Sequence, residues 1–271
     1  MSSNSASFIG EIPHHYDQGL GPNIFVDYAD RLTGLCGGLE TGRVLELAAG
    51  TGIVSRKLRN ALNPSVSLTV SDLNPPMLEI AKAKFSGSEN VEFVQANAME
   101  LPFEDNSFDL IVCQFGVMFF PDKTASYREA ARVLKPGGRY VFNVWSEMSE
   151  NPFSETAHKA AMTFFPENPP GFYKVPFHYG DPDIVHADLA AAGWGTVTHE
   201  TIRLNKPIAD LEKFATALVY GNPLIDEIRA RGGVDPDAVV AEMLSALRSR
   251  FVASDMVMPL SATQFECRNK G

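Results

Sequence analysis

A chain of 271 residues, 45% hydrophobic and 21% charged, has the balance of an ordinary globular protein and can bury a core as one large domain. A formal charge of −10, with no Lys/Arg run longer than two, argues against nucleic acid or an anionic membrane surface as a main partner. Three scattered cysteines (Cys36, Cys113, Cys267), with no CxxC or Cys/His cluster, argue against a metal site and for reduced thiols in the cytoplasm.

Residues 1–10 read as a frayed tail. Their polar start lacks the basic and apolar regions of a signal peptide, and no apolar run approaches the roughly 18 residues of a membrane span. From Pro13 to about Leu35 the spacing of Ile24, Phe25, Tyr28, Ala29 and Leu32 predicts one helix, ended by Cys36-Gly-Gly38. It precedes the first strand and is placed to lie across the mouth of a ligand site. His14, His15 and Tyr16 stand at its entry, where a solvated loop is the competing reading.

Arg43-Val-Leu-Glu-Leu47 is a short apolar strand, followed at once by Gly50 and Gly52 and by a helix carrying Ile53, Val54 and Leu58. Strand, glycine-rich turn, helix lets a backbone approach a nucleotide-like ligand closely, because glycine has no Cβ. A second strand, about Ser67–Ser71, ends at Asp72, which lies 20 residues past Gly52, the spacing at which a carboxylate meets ribose hydroxyls. Gly50-Thr-Gly52-Ile-Val-Ser55 is one residue from a dinucleotide fingerprint, which would make an NAD(P)-dependent oxidoreductase. A pyrophosphate, however, wants helix N–H groups and no nearby anion. Glu46 stands beside this loop, and a carboxylate there favours a cationic cofactor without phosphate, S-adenosyl-L-methionine.

Asn74 is expected to cap the next helix, with Pro75 at its first position and Met77, Leu78, Ile80 and Ala81 on its apolar side. Asn74-Pro-Pro-Met77 is superficially similar to the Asn-Pro-Pro-Tyr motif of DNA adenine methyltransferases. That motif follows a fourth strand and this one a second, so it reads as a helix start. Val91–Gln95 makes strand three, Asn97-Ala-Met99 and a loop to Ser107 follow, and Phe108–Cys113 makes strand four, ending on Gln114-Phe115. A helix from Lys123 to Leu134, a turn at Lys135-Pro-Gly-Gly138 and strand five, Arg139 to Val144, complete five β–α repeats in about 105 residues. Such alternation implies a doubly wound, parallel α/β sheet.

Val44-Leu-Glu-Leu-Ala-Ala-Gly-Thr-Gly52, Asp72, Asn97-Ala-Met99, Phe108-Asp-Leu-Ile-Val112 and Arg132-Val-Leu-Lys-Pro-Gly-Gly138 occur in this order within about residues 12–145. Together they resemble the class I S-adenosylmethionine-dependent methyltransferases, in the branch that includes the ubiquinone/menaquinone C-methyltransferases and many small-molecule enzymes. The resemblance implies a Rossmann-like sheet of seven strands, mostly parallel with an antiparallel last strand, and methyl transfer to a small organic acceptor. It also assigns residues. Glu46 and the Ala48–Gly52 backbone would face the methionyl moiety and ribose, and Asp72 would take the ribose hydroxyls. Leu73 and Met99 would sandwich adenine, while Asn97 and the Ala98 N–H read its edge. Gln114 would offer its backbone carbonyl to the methionyl amine, and Tyr16 would reach the carboxylate. Two residues depart from the pattern. Ala48 replaces the first glycine, which alanine can do unless the backbone needs a positive φ. Asn97 replaces an aspartate, leaving a weaker, uncharged acceptor.

Residues 146–180, rich in Pro, Phe and Tyr, read as a lid over a substrate. Asp181-Pro182 caps a helix to about Ala192, and Gly193-Trp-Gly195 turns into strand six, Thr196 to Leu204. Residues 206–256 read as two or three helices, Leu211–Tyr220 and Pro236–Phe251 the clearest, and Ser261–Cys267 alternates as the last strand. The whole chain, 1–271, is then one methyltransferase domain with a cofactor core and a helical cap inserted late. Transfer from a sulfonium is an in-line displacement that chiefly requires alignment, so a base is needed only if the acceptor must lose a proton. His178, at the end of the lid, is the candidate base; Phe119 and Phe120, past strand four, are candidate pocket walls. A non-catalytic binding protein on the same scaffold, and the oligomeric state, stay open.

Overall fold

The computed structural model describes residues 5–270; the first four residues of the expected tail lie outside that range. The N-terminal segment is not one helix. It runs as α1 (Ile12–His15), a π-helix (Tyr16–Phe25) and α2 (Val26–Gly34). Pro22 supplies no N–H, and Gly19 and Gly21 let the widened turns press against Ala217 and Ile53, where an added Cβ would come within 2.3 and 2.9 Å. Then follow β1 (Gly42–Glu46), α3 (Ile53–Ala61), β2 (Val66–Asp72), α4 (Pro75–Lys82), β3 (Val91–Gln95), β4 (Phe108–Gln114), α5 (Lys123–Val133) and β5 (Leu134–Trp145). No helix joins β3 to β4, so the run is short of five full β–α repeats. Lys135-Pro-Gly-Gly138, expected as a turn, is the opening of β5, where the register against β4 shifts and Gly137 takes φ +78°.

The lid contains a helix that its proline content hid, α6 (Pro152–Thr163), then the short α7 (Lys174–Phe177). After α8 (Pro182–Ala191) come β6 (Thr196–Pro207), three cap helices α9 (Leu211–Tyr220), α10 (Leu224–Arg231) and α11 (Pro236–Phe251), and β7 (Val257–Arg268). The seven-stranded sheet has the order β3-β2-β1-β4-β5-β7-β6, with β1 to β5 parallel and β7 antiparallel to both neighbours. That is the doubly wound, Rossmann-like arrangement expected, with β6 and β7 longer than their sequence patterns.

Alternation along the strands divides the core in two. Val44, Val70, Leu110, Val112 and Val141 pack beneath α2 and α3 with Leu32 and Leu58. Leu45, Ile111, Tyr140 and Phe142 face the opposite side, where α5 and the lid and cap helices cover them. The motif arginine now has a physical role. Arg132 donates to the carbonyls of Leu101 (3.0 Å) and Phe103 (2.8 Å) and pairs with Glu129 and Asp105 (2.7 Å each), pinning the helix-free β3–β4 connection to α5. Cys36, Cys113 and Cys267 are free and buried. Among the described residues no helix is long and apolar enough to cross a membrane, and no group of three or more His, Cys, Asp or Glu is placed to hold a metal ion.

Candidate active site

A cavity of about 280 Å³ opens at the carboxyl ends of β1, β2 and β4, where doubly wound sheets bind ligands. Of the residues assigned by resemblance, Tyr16, Ala48, Gly50, Asp72, Leu73, Asn97, Ala98, Met99 and Gln114 line it. Glu46 and Gly52 do not.

Asp72 ends β2 with only 6% of its surface exposed. Its Oδ2 accepts from the Gly50 N–H and its Oδ1 from the Asn74 N–H, both at 2.8 Å. Burial raises its pKa, while these N–H bonds work against the rise. Leu73 beside it is 50% exposed, an apolar side chain left uncovered at the cavity mouth. Across from it, Asn97 Oδ1 accepts from the Met99 N–H at 3.1 Å, and the Met99 sulfur accepts from the Asp122 N–H. Gln114 Nε2 donates to the Phe25 carbonyl at 3.3 Å, whereas its Oε1 is buried with no partner. Tyr16 stacks on Phe25 with ring centroids 4.9 Å apart, and burial followed by the Asp72 charge keeps its phenol protonated. Among the described residues the lining contains one carboxylate, Asp72, and no lysine, arginine or histidine.

Glu46 points the other way because Leu47, the next residue in the alternation, takes the cavity side. Its carboxylate faces Ser55 in the first turn of α3 at 1% exposure, and Oε2 has no partner. Burial pushes its pKa up to about 8, against the pull of the Ser55 hydroxyl and N–H. Glu46 is therefore neutral at pH 7 and repels nothing; what speaks against the dinucleotide reading is that the α3 N-terminus a pyrophosphate would need, Gly52 to Ser55, lies outside the cavity lining. Gly52 serves packing: at φ +82° its missing Cβ would stand 2.8 Å from Ala81. Ala48 takes φ +50°, the left-handed conformation that glycine would hold without strain. Phe115, at φ +51°, mirrors it after β4.

The raised Glu46 pKa has a measurable consequence. Between its unfolded value near 4.5 and its folded value of about 8, the native state holds a proton that the unfolded chain has lost. Raising pH through that window therefore lowers stability, by up to about 1.4 kcal/mol per pH unit. Urea unfolding from pH 5 to 8 should show wild type losing stability relative to Glu46→Gln, the difference flattening above the window.

The other half of the cavity is built by segments whose sequence gave less warning. Tyr16, Leu20 and Ile24 fall on one side of the π-helix and line it. Phe8 lies in the expected tail, yet it is 9% exposed and packs edge-on against Tyr16 and Phe119. Asn74 holds this strap rather than capping α4: its Oδ1 accepts from the Phe8 N–H (3.2 Å) and its Nδ2 donates to the Ala6 carbonyl (3.1 Å). The apolar pair Phe8-Ile9 in a polar tail was the available signal. Trp145 ends β5 and stacks on Phe115 at 4.1 Å. From the lid come Phe153, Phe172, Tyr173 and Phe177; Phe164, Phe165 and Tyr179 lie outside the lining. Phe119 and Phe120 do form walls, and α9 adds Leu218 with Asn222 beyond its end. His178 is exposed, lies outside the lining, and sets its Nδ1 against the Val175 carbonyl, so it is withdrawn as a base.

A family model described as the ubiE/COQ5 methyltransferase family matches residues 23–168. The ubiquinone/menaquinone biosynthesis C-methyltransferase UbiE of Pseudomonas savastanoi pv. phaseolicola is 38% identical over 133 residues, 48% of this chain and 52% of that protein. Demethylmenaquinone methyltransferase of Staphylococcus aureus is 43% identical over 99 residues, 36% of this chain and 41% of that protein. The chain thus spans about half the length of such curated relatives. Among solved structures, YcgJ of Bacillus subtilis aligns over 90% of this chain and 99% of its own at 21% identity, with a TM-score of 0.58. Phosphoethanolamine N-methyltransferase 2 of Haemonchus contortus, in complex with S-adenosyl-L-methionine, aligns over 96% of this chain and 57% of its own at 17% identity, with a TM-score of 0.60. These two likenesses speak for the fold.

Proposed function

The chain belongs to the ubiE/COQ5 methyltransferase family, and from that premise we propose that it transfers a methyl group from S-adenosyl-L-methionine to a small, uncharged, largely apolar acceptor. One observation carries the reading: a polar half with a single carboxylate and no basic side chain continues into an aromatic half with no charge at all. A cofactor bearing an ammonium and a sulfonium suits the first half. Asp72 would accept its ribose hydroxyls, and the unpartnered Gln114 Oε1 would accept from its ammonium. The exposed Leu73 and the facing Met99 would cover the two faces of adenine, with Asn97 and the Ala98 N–H at its edge. When bound, this cofactor supplies a methyl group already activated by the positive sulfur.

The residues of the aromatic half align the acceptor and exclude water. No histidine or lysine among the described residues lines it, so the proton that a neutral acceptor sheds once the methyl is transferred would leave to solvent. The relatives' names speak of ubiquinone and menaquinone, whose rings would suit such walls. The family model's match ends at residue 168, short of Phe172, Tyr173, Phe177, Leu218 and Asn222, so the acceptor is inferred from this chain's own lid and cap.

Calorimetry tests the cofactor half. Heat of binding is expected with S-adenosyl-L-methionine and S-adenosyl-L-homocysteine and none with NAD or NADP; tight NAD binding with no response to the sulfonium compound would overturn the reading. Cofactor binding with no methyl transfer to any apolar acceptor would favour a non-catalytic binding role instead.

A further inference from the structure

In the aromatic half, beyond the Tyr16 and Gln114 border, the Trp145 indole can only donate, and two further buried side chains can form hydrogen bonds, Tyr173 and Asn222, each 3% exposed. They come from different segments: Tyr173 precedes α7 in the lid, and Asn222 lies in the turn after α9. They converge on one atom. The Leu218 carbonyl, among the last four of α9 and so without an intrahelical partner, accepts from Tyr173 Oη at 2.7 Å and from Asn222 Nδ2 at 3.0 Å. Asn222 Oδ1 accepts from the Leu224 N–H at 3.0 Å.

These bonds satisfy the helix end and leave a defined remainder. Tyr173 has committed its hydrogen, so its oxygen can only accept further. Asn222 keeps one amide hydrogen; it neighbours the Tyr173 oxygen, where it works against the rise that burial gives the phenol's pKa, and a hydroxyl set between the two would take it. One acceptor next to one donor complements a hydroxyl group, which offers both roles. The walls around them, Phe153, Phe172, Pro176 and Phe177, add no hydrogen-bonding side chain, and no cation lines the cavity. An ionised group would be desolvated there without a counter-charge.

On the reading that this half holds the methyl acceptor, we propose that Tyr173 and Asn222 determine its specificity by gripping an uncharged hydroxyl, with Asn222 Nδ2 donating to it and Tyr173 Oη accepting from it. The grip orients the ring and rejects analogues lacking the hydroxyl or carrying a carboxylate in its place. A site built to hydrogen-bond a hydroxyl discriminates more strongly than an apolar pocket does, because its polar atoms are left unpaired by the wrong ligand.

The test uses 1-naphthol, naphthalene and 1-naphthoate as probes, titrated by calorimetry into the full chain saturated with S-adenosyl-L-homocysteine. Wild type is expected to bind the naphthol about tenfold more tightly than naphthalene, the size of one hydrogen bond, and the naphthoate more weakly than either. Tyr173→Phe should bring the first ratio close to one while leaving naphthalene affinity and the homocysteine product's affinity unchanged; it keeps the Asn222 bond to Leu218 and so the helix end. Asn222→Ala, checked for folding by circular dichroism, should do the same. A wild type that binds no naphthol or prefers naphthalene, or a Tyr173→Phe protein that keeps the preference, overturns the proposal. Failure of S-adenosyl-L-homocysteine to bind any of these proteins would instead fall on the cofactor reading, and the naphthol titration is then repeated without it.

Discussion

Asp72→Ala is expected to lower affinity for S-adenosyl-L-homocysteine by roughly tenfold to a hundredfold. A hydrogen bond to a charged group contributes about 1.5–3 kcal/mol, and the carboxylate is the lining's single anion. The substitution also releases the N–H groups of Gly50 and Asn74. The glycine loop and the base of the Asn74 strap then lose a shared fastener, and some stability goes with it. Asp72→Asn separates the two effects: its oxygen can still hold one N–H, but the negative charge is gone. Calorimetry beside urea unfolding reads both. A lowered unfolding midpoint with unchanged affinity would make Asp72 a fastener only.

Trp145→Ala is expected to be the most destabilising single change, at about 3–5 kcal/mol, the range for removing a large buried aromatic. Trp145 is 3% exposed and meets five aromatic rings, among them Phe25 of the π-helix at 6.3 Å. It stacks on Phe115 (4.1 Å, 7° between planes), meets Tyr28 of α2 edge-on at 5.5 Å, and approaches Phe153 and Phe177 of the lid at 6.0 and 5.9 Å. Phe115 is itself held at positive φ, with its N–H bonded to Asn143 Oδ1 at 3.0 Å. Losing the indole leaves a void beneath that strained turn. Trp145→Phe should restore more than half of the loss. A change below about 1 kcal/mol would mean that the lid collapses into the space.

The half of the cavity beside the glycine loop was legible because local physics writes it in the sequence. Apolar strands ending in Gly50-Thr-Gly52 and Asp72 need only the chain's own period to be placed, and all but two of the assigned residues reach the cavity. Glu46 stays off the lining for a reason of phase: its position in the motif gives its neighbourhood, while strand alternation decides which face it takes. The aromatic half was less legible. Phe8, Leu20, Trp145 and Asn222 lie far apart in the chain and meet only because the strap, the π-helix and the cap fold over one opening. No local period encodes a π-helix made by Pro22 and two glycines pressed on other elements. Asn74 shows the same limit: its sequence context promises a helix cap, and a backbone segment 66 residues away takes the side chain instead.

The sheet order carries a consequence for how the protein is made. β7, the last strand along the chain, lies inside the sheet, paired with β5 from Arg139 to Trp145 and with β6 over its whole length. β6 has no other sheet neighbour. During synthesis every helix can be complete while the edge of β5 is still open and β6 is unpaired. Open edges invite pairing with other chains, and long-range strand pairing is slow. A nascent chain halted at residue 256 therefore lacks two strands of usable sheet, not one, and Phe142 loses its stacking partner Phe265 (5.0 Å). Ribosome stalling or proteolysis just before β7 should yield a species that recruits holding chaperones.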